Sequence, residues 1–249
     1  MNASAQLAQP QRALHDGEPG YVLHTYAFKE TSLLVEAFTR EHGRVGLVAK
    51  GARRPGSALR GVLMAFQPLL LGWSGKSELK LLQRAEWQGG HRQLGGLTLI
   101  CGFYLNELLL RLTARDDPHP GLYAEYERVL AALRENVAPA PALRSFERGM
   151  LAELGYGLQL ARDVHGAALV EARDYLYVVE RGAVPLEEVR EGSDAPRVSG
   201  RALLCIERDD YSDAATVHQA RALMRHAINH HLGGKPLHSR QLLLDVQEL

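Results

Sequence analysis

The chain has 249 residues, of which 46% are hydrophobic and 23% are charged, an ordinary composition for a globular protein. Its 29 Lys and Arg balance its 29 Asp and Glu, but unevenly: residues 1–90 hold 11 cations and 7 acids, whereas residues 91–249 hold 18 and 22. No apolar run reaches the roughly eighteen residues that cross a bilayer. Residues 1–19 lack the apolar centre of a secretory signal. We therefore expect a cytoplasmic protein with a flexible tail at 1–19.

Residues 20–90 divide into short β-like runs separated by turns. The expected strands are 21–28, 31–39, 44–50, 61–73 and 78–87. Five short strands without a helical crossover predict a small antiparallel barrel, most simply a five-stranded OB-fold. An SH3-like barrel is the main alternative.

Cations concentrate after the third expected strand. The stretch VAKGARRPGSALRG, residues 48–61, contains four cations and no acid. A polyanion could dock there because Lys and Arg neutralise phosphates, but a solvated basic loop that only keeps the protein in solution would look the same. The candidate cations for contact with nucleic-acid phosphates are Arg40, Arg44, Lys50, Arg53, Arg54, Arg60, Lys76 and Lys80.

Aromatic rings could complete such a site by stacking on unpaired bases. The rings of this region are Tyr21, Tyr26, Phe28, Phe38, Phe66, Trp73 and Trp87. Aromatic side chains of small barrels mostly belong to the core, so the pattern does not single out a stacking residue.

The apolar periodicity becomes helical after residue 90. The expected helices are 97–113, 121–135, 140–157, 200–208, 214–233 and 239–247. Asp213 or Ser212 could cap the fifth helix, and Ser239 the sixth. We expect an OB domain at 20–90 and a helical domain at 91–249, with an irregular insertion at about 158–200 and a possible strand at 174–184. The fold class is therefore α+β.

The sequence contains no recognisable catalytic arrangement. GWSGKS at 72–77 does not match the P-loop motif, because Leu70 occupies the position where the motif needs its first glycine. Cys101 and Cys205 lie far apart, so neither a disulfide framework nor a cysteine zinc site is expected. His226, His230 and His231 could bind a metal, but they also suit the negative end of a helix. We expect no enzyme activity, no metal and no cofactor.

Four stretches together resemble one known family. They are ETSLLVEAFTREHGRVGLVAKGARRPGSALRGVLMAFQPLLL (30–71), FYLNELLLRL (103–112), PALRSFERGMLAELGYG (141–157) and LGGKPLHSRQLL (232–243). The combination of VAKGAR and GGKPLHSR is specific. From about residue 20 to the end, the chain resembles the bacterial recombination mediator family RecO.

This resemblance implies an N-terminal OB-fold joined to a helical domain, and a function without catalysis. Members of the family bind single- and double-stranded DNA without sequence specificity and anneal complementary strands. They associate with RecR, engage the acidic C-terminal tail of the single-stranded DNA-binding protein SSB, and help to load RecA onto SSB-coated DNA in gap and break repair. The implied location is the cytoplasm, with association with the nucleoid during repair and none with membranes. A scaffold whose barrel binds acidic protein segments is the alternative.

The resemblance also implies a place for the SSB tail, near the helix that contains ALRSFE. Arg144 occupies the arginine of that motif and Arg148 follows one turn later, so both are candidate tail-binding residues. The alternative for Arg144 is an ion pair with Glu147. Some relatives have a four-cysteine zinc module after the LGY segment, but this chain has no cysteine there.

Overall fold

The computed structural model describes residues 14–135, 138–188 and 193–247. The chain forms two compact units: residues up to 90 with 114–118, and residues 91–113 with those from 119 onward. Residues 1–13 of the expected tail lie outside the described residues. Residues 14–19 belong to the first strand and not to a flexible tail.

The first unit is a closed five-stranded, OB-like barrel, which confirms the predicted fold class. Its strands are β1 (Leu14–Phe28), β2 (Ser32–Thr39), β3 (Gly43–Ala49), β4 (Leu69–Ser74) and β5 (Leu79–Trp87). They are hydrogen-bonded in the order β1-β2-β3-β5-β4, and β4 closes the barrel against β1. β3 and β5 run parallel, and the other neighbours are antiparallel.

Alternating side chains build the core of the barrel. Val35 and Ala37 of β2 face inward with Val45 and Leu47 of β3, and all four are fully buried. Trp73 of β4 packs in the same cluster. The period of two along a strand sends every second residue to this core, and for this reason the sequence pattern is readable here.

The fourth expected strand is wrong in its first half. Residues Ala58–Val62 form a short helix, α1, and the strand begins only at Leu69. Phe66 takes a positive φ of 64°, and Pro68 has no N–H to donate to a ladder. The apolar run 61–73 therefore contains the end of a helix, an irregular segment and a strand.

Residues 114–118 lie along the barrel although they follow a helix of the second unit. The N–H of Asp116 donates to the carbonyl of Arg44 at 2.8 Å, and Arg44 and Arg115 form a parallel bridge. Gly43 makes this approach possible, because a Cβ there would collide with the carbonyl oxygen of Asp117.

The second unit is mainly helical. Its helices are α2 (Gly96–Leu112), α3 (Pro120–Arg134), α4 (Pro139–Glu153), α5 (Gly200–Glu207), α6 (Ala214–His231) and α7 (His238–Gln247). Asp213 caps α6 by accepting the N–H of Thr216 at 3.2 Å. None of the helices in the described part of the chain is long and apolar enough to cross a membrane.

The described part of the expected insertion at 158–200 is more regular than anticipated. It contains β6 (Asp174–Val178), β7 (Gly182–Pro185) and β8 (Arg197–Ser199), which form a sheet in the order β7-β6-β8. The single strand expected at 174–184 is a hairpin that turns at residues with positive φ. Strands of three to five residues are too short to give a clear period in the sequence.

The start of α7 also differs from expectation. Ser239 lies inside the first turn and is not the N-cap. The carboxylate of Glu107 on α2 takes the capping role: it accepts the N–H groups of His238 and Ser239 at 3.0 and 2.9 Å and the Ser239 hydroxyl at 2.6 Å. This cap comes from 131 residues away in the chain, so local sequence could not reveal it.

Candidate nucleic-acid interface

The basic loop after β3 is held in place at its base. Ala52 is fully buried in the barrel core, and the N–H of Arg53 donates to the carbonyl of Thr31 at 2.8 Å. The Arg53 guanidinium lies 3.3 Å from the carbonyl oxygen of Glu30. Gly51 takes a positive φ of 69° at the turn, which favours glycine. The loop is therefore anchored to the β1–β2 turn.

Four of the predicted cations extend from this segment into solvent. Lys50, Arg53, Arg54 and Arg60 are all exposed. Among the described residues, none of the four forms an ion pair with a carboxylate. Unpaired cations on an anchored segment are suited to a polyanion, because they need not break an internal pair before binding phosphate.

The structure adds one cation that the sequence reading missed. Lys29 is exposed in the β1–β2 turn, with a positive φ of 53° and its ammonium 5.5 Å from the ring centroid of Phe28. Its carbonyl lies 3.5 Å from the Arg53 guanidinium. Lys29 belongs to a different loop, and only strand pairing brings it to the basic segment. We call Lys29, Lys50, Arg53, Arg54 and Arg60 the basic cluster.

Two of the predicted residues are neutralised within the first unit. Arg44 pairs with the buried carboxylate of Glu36 at 2.9 Å. Lys80 pairs with Asp116 at 2.6 Å, and only 11% of the Lys80 side chain is exposed. Each would lose an existing ion pair on binding phosphate, so we leave both out of the interface.

Arg40 and Lys76 are exposed but lie in other loops. Arg40 follows the far end of β2, an eight-residue strand, which places it roughly 25 Å along the strand from the basic cluster. Lys76 precedes β5, whose first residue pairs with Gly46 in the middle of β3. The structure does not bring these two cations to the others.

Two of the seven candidate rings are exposed, and Phe28 is half-buried beside Lys29. Tyr26 is 47% exposed and Trp87 is 56% exposed, whereas Tyr21, Phe38, Phe66 and Trp73 are buried. The indole of Trp87 donates to Gln67 at 3.0 Å.

Tyr26 lies close to the basic cluster in the sheet. Tyr26 lies on β1, three residues before Lys29 in the following turn, and it pairs with Leu34 on β2. Leu34 pairs with Val48 on β3, and Val48 with Leu81 on β5. These four residues form a partly exposed apolar row across the barrel. A flat ring beside cations is the combination that holds single strands.

The helical unit contains a second charged site, centred on Glu147. The guanidinium of Arg144 donates to Glu147 Oε1 at 2.7 Å, and the hydroxyl of Tyr104 donates to the same oxygen at 2.5 Å. Burial raises the pKa of Glu147, although Arg144 opposes this effect. Arg144, a predicted tail-binding residue, thus forms the ion pair with Glu147 that was the alternative to tail binding.

The pair nevertheless borders a cavity of about 60 Å³. Its lining residues are Tyr104, Leu143, Arg144, Glu147, Arg221, Arg225 and Arg240. Four arginines thus surround one carboxylate. Arg144 is only 8% exposed, and its Nε has no hydrogen-bond partner among the described residues. We call this the arginine pocket. Glu147 Oε2 is also buried without a partner among the described residues. Buried polar atoms without partners are costly, so the pocket holds an unmet donor beside an unmet acceptor.

Arg148 is directed elsewhere. Its Nε lies 3.4 Å from Asp209 Oδ1, and the other Asp209 oxygen accepts the hydroxyl of Ser145 at 2.7 Å. Arg148 does not line the arginine pocket, so the two predicted tail-binding arginines are not brought together.

Two of the three histidines near the end of α6 contact each other, with the rings of His230 and His231 edge to face at 5.2 Å. His230 lies 3.4 Å from Glu180, and the ring of His231 stacks on Tyr156 at 4.0 Å. His226 lines a groove of about 460 Å³ together with Pro196, Arg221 and Arg225. The described residues contain no group of three or more potential metal ligands.

These features define an OB-like barrel protein with an open basic cluster, continued in the chain by a helical unit with an arginine-lined pocket. The N-terminal model of the family Recombination protein O matches residues 17–90, and the C-terminal model matches residues 94–241. The chain therefore belongs to the RecO family, which acts in DNA repair and recombination.

Individual relatives are similar over nearly the whole chain. DNA repair protein RecO of Aromatoleum aromaticum is 54% identical over 245 residues, covering 98% of this chain and 100% of the relative. The proteins of the same name from Azoarcus sp. and Nitrosospira multiformis are 51% and 49% identical. They cover 94% of this chain and 97% of each relative.

Proposed function

We propose that this protein binds DNA through the basic cluster without reading sequence, and that it acts as a recombination mediator and not as a catalyst. The observation that carries the proposal is the anchored segment 50–60, whose cations are exposed and form no ion pair with any carboxylate in the described ranges. Such cations contact backbone phosphates, which are identical at every base. Binding of two strands on a cationic surface reduces their repulsion and raises their local concentration, which favours annealing.

The recruitment part of the proposal concerns the helical unit. The arginine pocket suits the acidic C-terminal tail of SSB, because buried guanidinium groups recognise carboxylates. Arg144 is the proposed contact, and Arg148 is left out because it pairs with Asp209. Family membership supports RecR as a further partner and RecA loading as the outcome.

A salt titration of DNA binding tests the first part. We expect the affinity for a labelled single-stranded oligonucleotide to fall steeply with salt, by roughly 0.7 log units per log unit of salt for each neutralised phosphate. Replacing Lys50, Arg53 and Arg54 together by alanine should weaken binding and flatten the slope by about two units on the same basis.

The matched control replaces three exposed arginines of the helical unit, Arg173, Arg181 and Arg208, by alanine. It removes the same charge, so an equal loss in both variants would mean that only net charge matters. An unchanged slope in the loop variant would remove the basic cluster from the interface. Capture of acidic peptides by the barrel, without DNA binding at about 0.1 M salt, would favour the scaffold alternative.

The tail site needs a variant that preserves the fold. Replacing Arg144 alone would leave Glu147 buried without its partner, which is strongly destabilising. The double variant Arg144→Met with Glu147→Gln removes both charges. We expect it to lose binding to a labelled acidic peptide and to keep binding to bare DNA. Equal loss of both ligands would contradict separate sites.

A further inference from the structure

Three ring side chains line one face of β1 at its C-terminal end. His24, Tyr26 and Phe28 occupy alternate positions, and alternate residues of a strand share a face. His24 and Tyr26 are exposed, whereas Phe28 is half-buried. The function proposed above does not use His24.

A β-bulge places these rings outside the barrel. Val22 belongs to the barrel core, and unbroken alternation would send residues 24, 26 and 28 into the core as well. The register of β1 on β2 shifts between Val22 and His24, however, because β1 has one extra residue there. After the shift, Thr25 pairs with the buried Val35, and the three rings face outward. Bulges that redirect side chains in this way are over-represented beside functional sites.

The rings of His24 and Tyr26 form one surface. Their centroids lie 4.4 Å apart, and their planes meet at 61° in an edge-to-face contact. Ring pairs favour this arrangement, so each ring restricts the rotation of the other. A ligand that stacks on Tyr26 therefore finds the ring already oriented, which reduces the entropy cost of binding. We call His24 and Tyr26 the ring pair.

The charges beside the ring pair suit a polyanion. Past Phe28, the ammonium of Lys29 lies 5.5 Å from the Phe28 ring centroid and begins the basic cluster. Across the sheet, His24 pairs with Glu36, whose carboxylate is buried and bound by Arg44 at 2.9 Å. The strand end therefore presents cations, and the acid nearest to His24 is already neutralised.

We infer that the ring pair is a base-stacking platform, and that a single DNA strand runs along β1 from the basic cluster over Tyr26 to His24. Its bases stack on the two rings, and its phosphates contact Lys29 and the basic loop. This inference rests on the DNA binding proposed above and deepens it. The basic cluster holds any phosphate backbone, whereas the ring pair selects bases that are not already stacked in a duplex.

The direction follows from where the rings lie. The apolar row that crosses the barrel continues from Tyr26 through Leu34, Val48 and Leu81. These side chains are aliphatic and offer no π face to a base, whereas His24 continues the ring surface along β1. A protein partner could also cover exposed rings, but the adjoining cluster of five cations favours a polyanion.

Variants of His24 test the platform in the full-length protein. His24→Ala should weaken the binding of a labelled single-stranded oligonucleotide by about fivefold, the lower end for the loss of one stacked base. His24→Phe keeps a ring and should restore most of the affinity. The affinity of His24→Ala for duplex DNA should be nearly unchanged. Combined with Tyr26→Leu, His24→Ala should cost less than the product of the two single effects, because residues in contact are not additive.

Val48→Thr tests the direction of the strand. It changes the row across the barrel at a half-buried side chain and should bind the single strand like wild type. Irradiation of a bound oligonucleotide that contains iodouracil should cross-link wild type within the tryptic peptide 13–29, which contains the ring pair. A path across the barrel would instead place cross-links in the tryptic peptide 45–50, which contains Val48.

His91→Ala is the matched control. It removes an exposed histidine that belongs to the helical unit, and it should bind both forms of DNA like wild type. His24 is exposed as well, so His24→Ala should keep the thermal unfolding midpoint of wild type.

Three results would overturn the inference. In the first, His24→Ala binds the single strand as well as wild type does, while replacement of Lys50, Arg53 and Arg54 still weakens it. In the second, His24→Ala weakens single strand and duplex equally, which would assign His24 to the backbone and not to a base. In the third, wild type binds no oligonucleotide. Only the third also removes the proposed function, so the two failures are distinguishable.

Discussion

Arg115 and Glu36 lie 79 residues apart in the chain, yet the Nε of Arg115 is 3.3 Å from Glu36 Oε2. The same buried carboxylate accepts a hydrogen bond from Arg44. Glu36 thus accepts from two guanidinium groups at once, and its bond to Arg115 fastens residues 114–118 to the barrel. Hydrogen bonding to Glu36 raises the pKa of Arg115, and burial opposes this shift only in part.

Removal of this carboxylate should destabilise the first unit. Glu36→Ala leaves two arginines without their shared partner, and we expect a loss of about 2 kcal/mol in the free energy of unfolding, below the usual range for fully buried pairs because both arginines are partly exposed. Urea unfolding followed by tryptophan fluorescence measures it selectively, since Trp73 and Trp87, the two tryptophans of the chain, both lie in the barrel.

Glu78→Ala is the control for this prediction. Glu78 also pairs with Arg115, but its side chain is 76% exposed. Exposed pairs contribute about 1 kcal/mol or less. Equal destabilisation by the two variants would contradict the central role of Glu36.

Lys29 should contribute to DNA binding although the basic loop does not contain it. We expect Lys29→Ala to reduce the salt slope for a single-stranded oligonucleotide by about 0.7. Lys76→Ala changes an exposed lysine of another turn in the same barrel and should have a smaller effect. The reverse order would move the interface to the β4–β5 turn.

Tyr26 should distinguish single from double strands. Stacking of an unpaired base on an aromatic ring contributes about 1–3 kcal/mol, so Tyr26→Leu should weaken binding of single-stranded DNA by about fivefold or more on that basis. The affinity of Tyr26→Leu for duplex DNA should change little, because the bases of a duplex are already stacked on one another. Tyr26→Phe keeps the ring and should bind like wild type; a defect in Tyr26→Phe would instead assign the effect to the hydroxyl.

Acid should release the cap that Glu107 provides for α7. Partial burial works to raise the pKa of Glu107, but hydrogen bonds from Ser239 and His238 outweigh it, and the pKa lies below its ordinary value of 4.5. A lowered folded-state pKa means that stabilisation is complete above the unfolded-state value and is lost as pH falls through the folded-state value.

Glu107→Gln should therefore be less stable than wild type at neutral pH, and the difference should shrink as the pH falls below the ordinary glutamate pKa of 4.5 and on through the lower folded-state pKa. Urea unfolding monitored by helical circular dichroism at a series of pH values measures the difference. A gap that stays constant with pH would show that the charge of Glu107 does not support the cap.

The barrel was readable from the sequence where residues alternate. β2 and β3 place apolar side chains such as Val35 and Leu47 at every second position, and the turn at 40–42 separates them. The strand predicted at 61–73 was wrong in its first half, because apolar character alone does not distinguish a short helix from a strand. The positive φ of Phe66 has no signature in the sequence.

The candidate sites were only partly predictable. A Gly-rich stretch without acids indicated that cations such as Lys50 and Arg54 would be exposed, as they are. Lys29 joins them only through strand pairing, which a linear reading cannot supply. The groove of Arg221 and Arg225 was missed because the helical pattern of α6 gave no sign that the loop at Pro196 faces it.

The sequence by itself determined the family, the OB-like barrel followed by helices, and the basic segment at 50–60, because these depend on residue type and short-range period. The tertiary structure decided which cations are neutralised by ion pairs. It pairs Arg44 with Glu36, Lys80 with Asp116 and Arg148 with Asp209. Two of these partners are distant in the chain, and ion pairing depends on distance in space, which the order of residues does not contain.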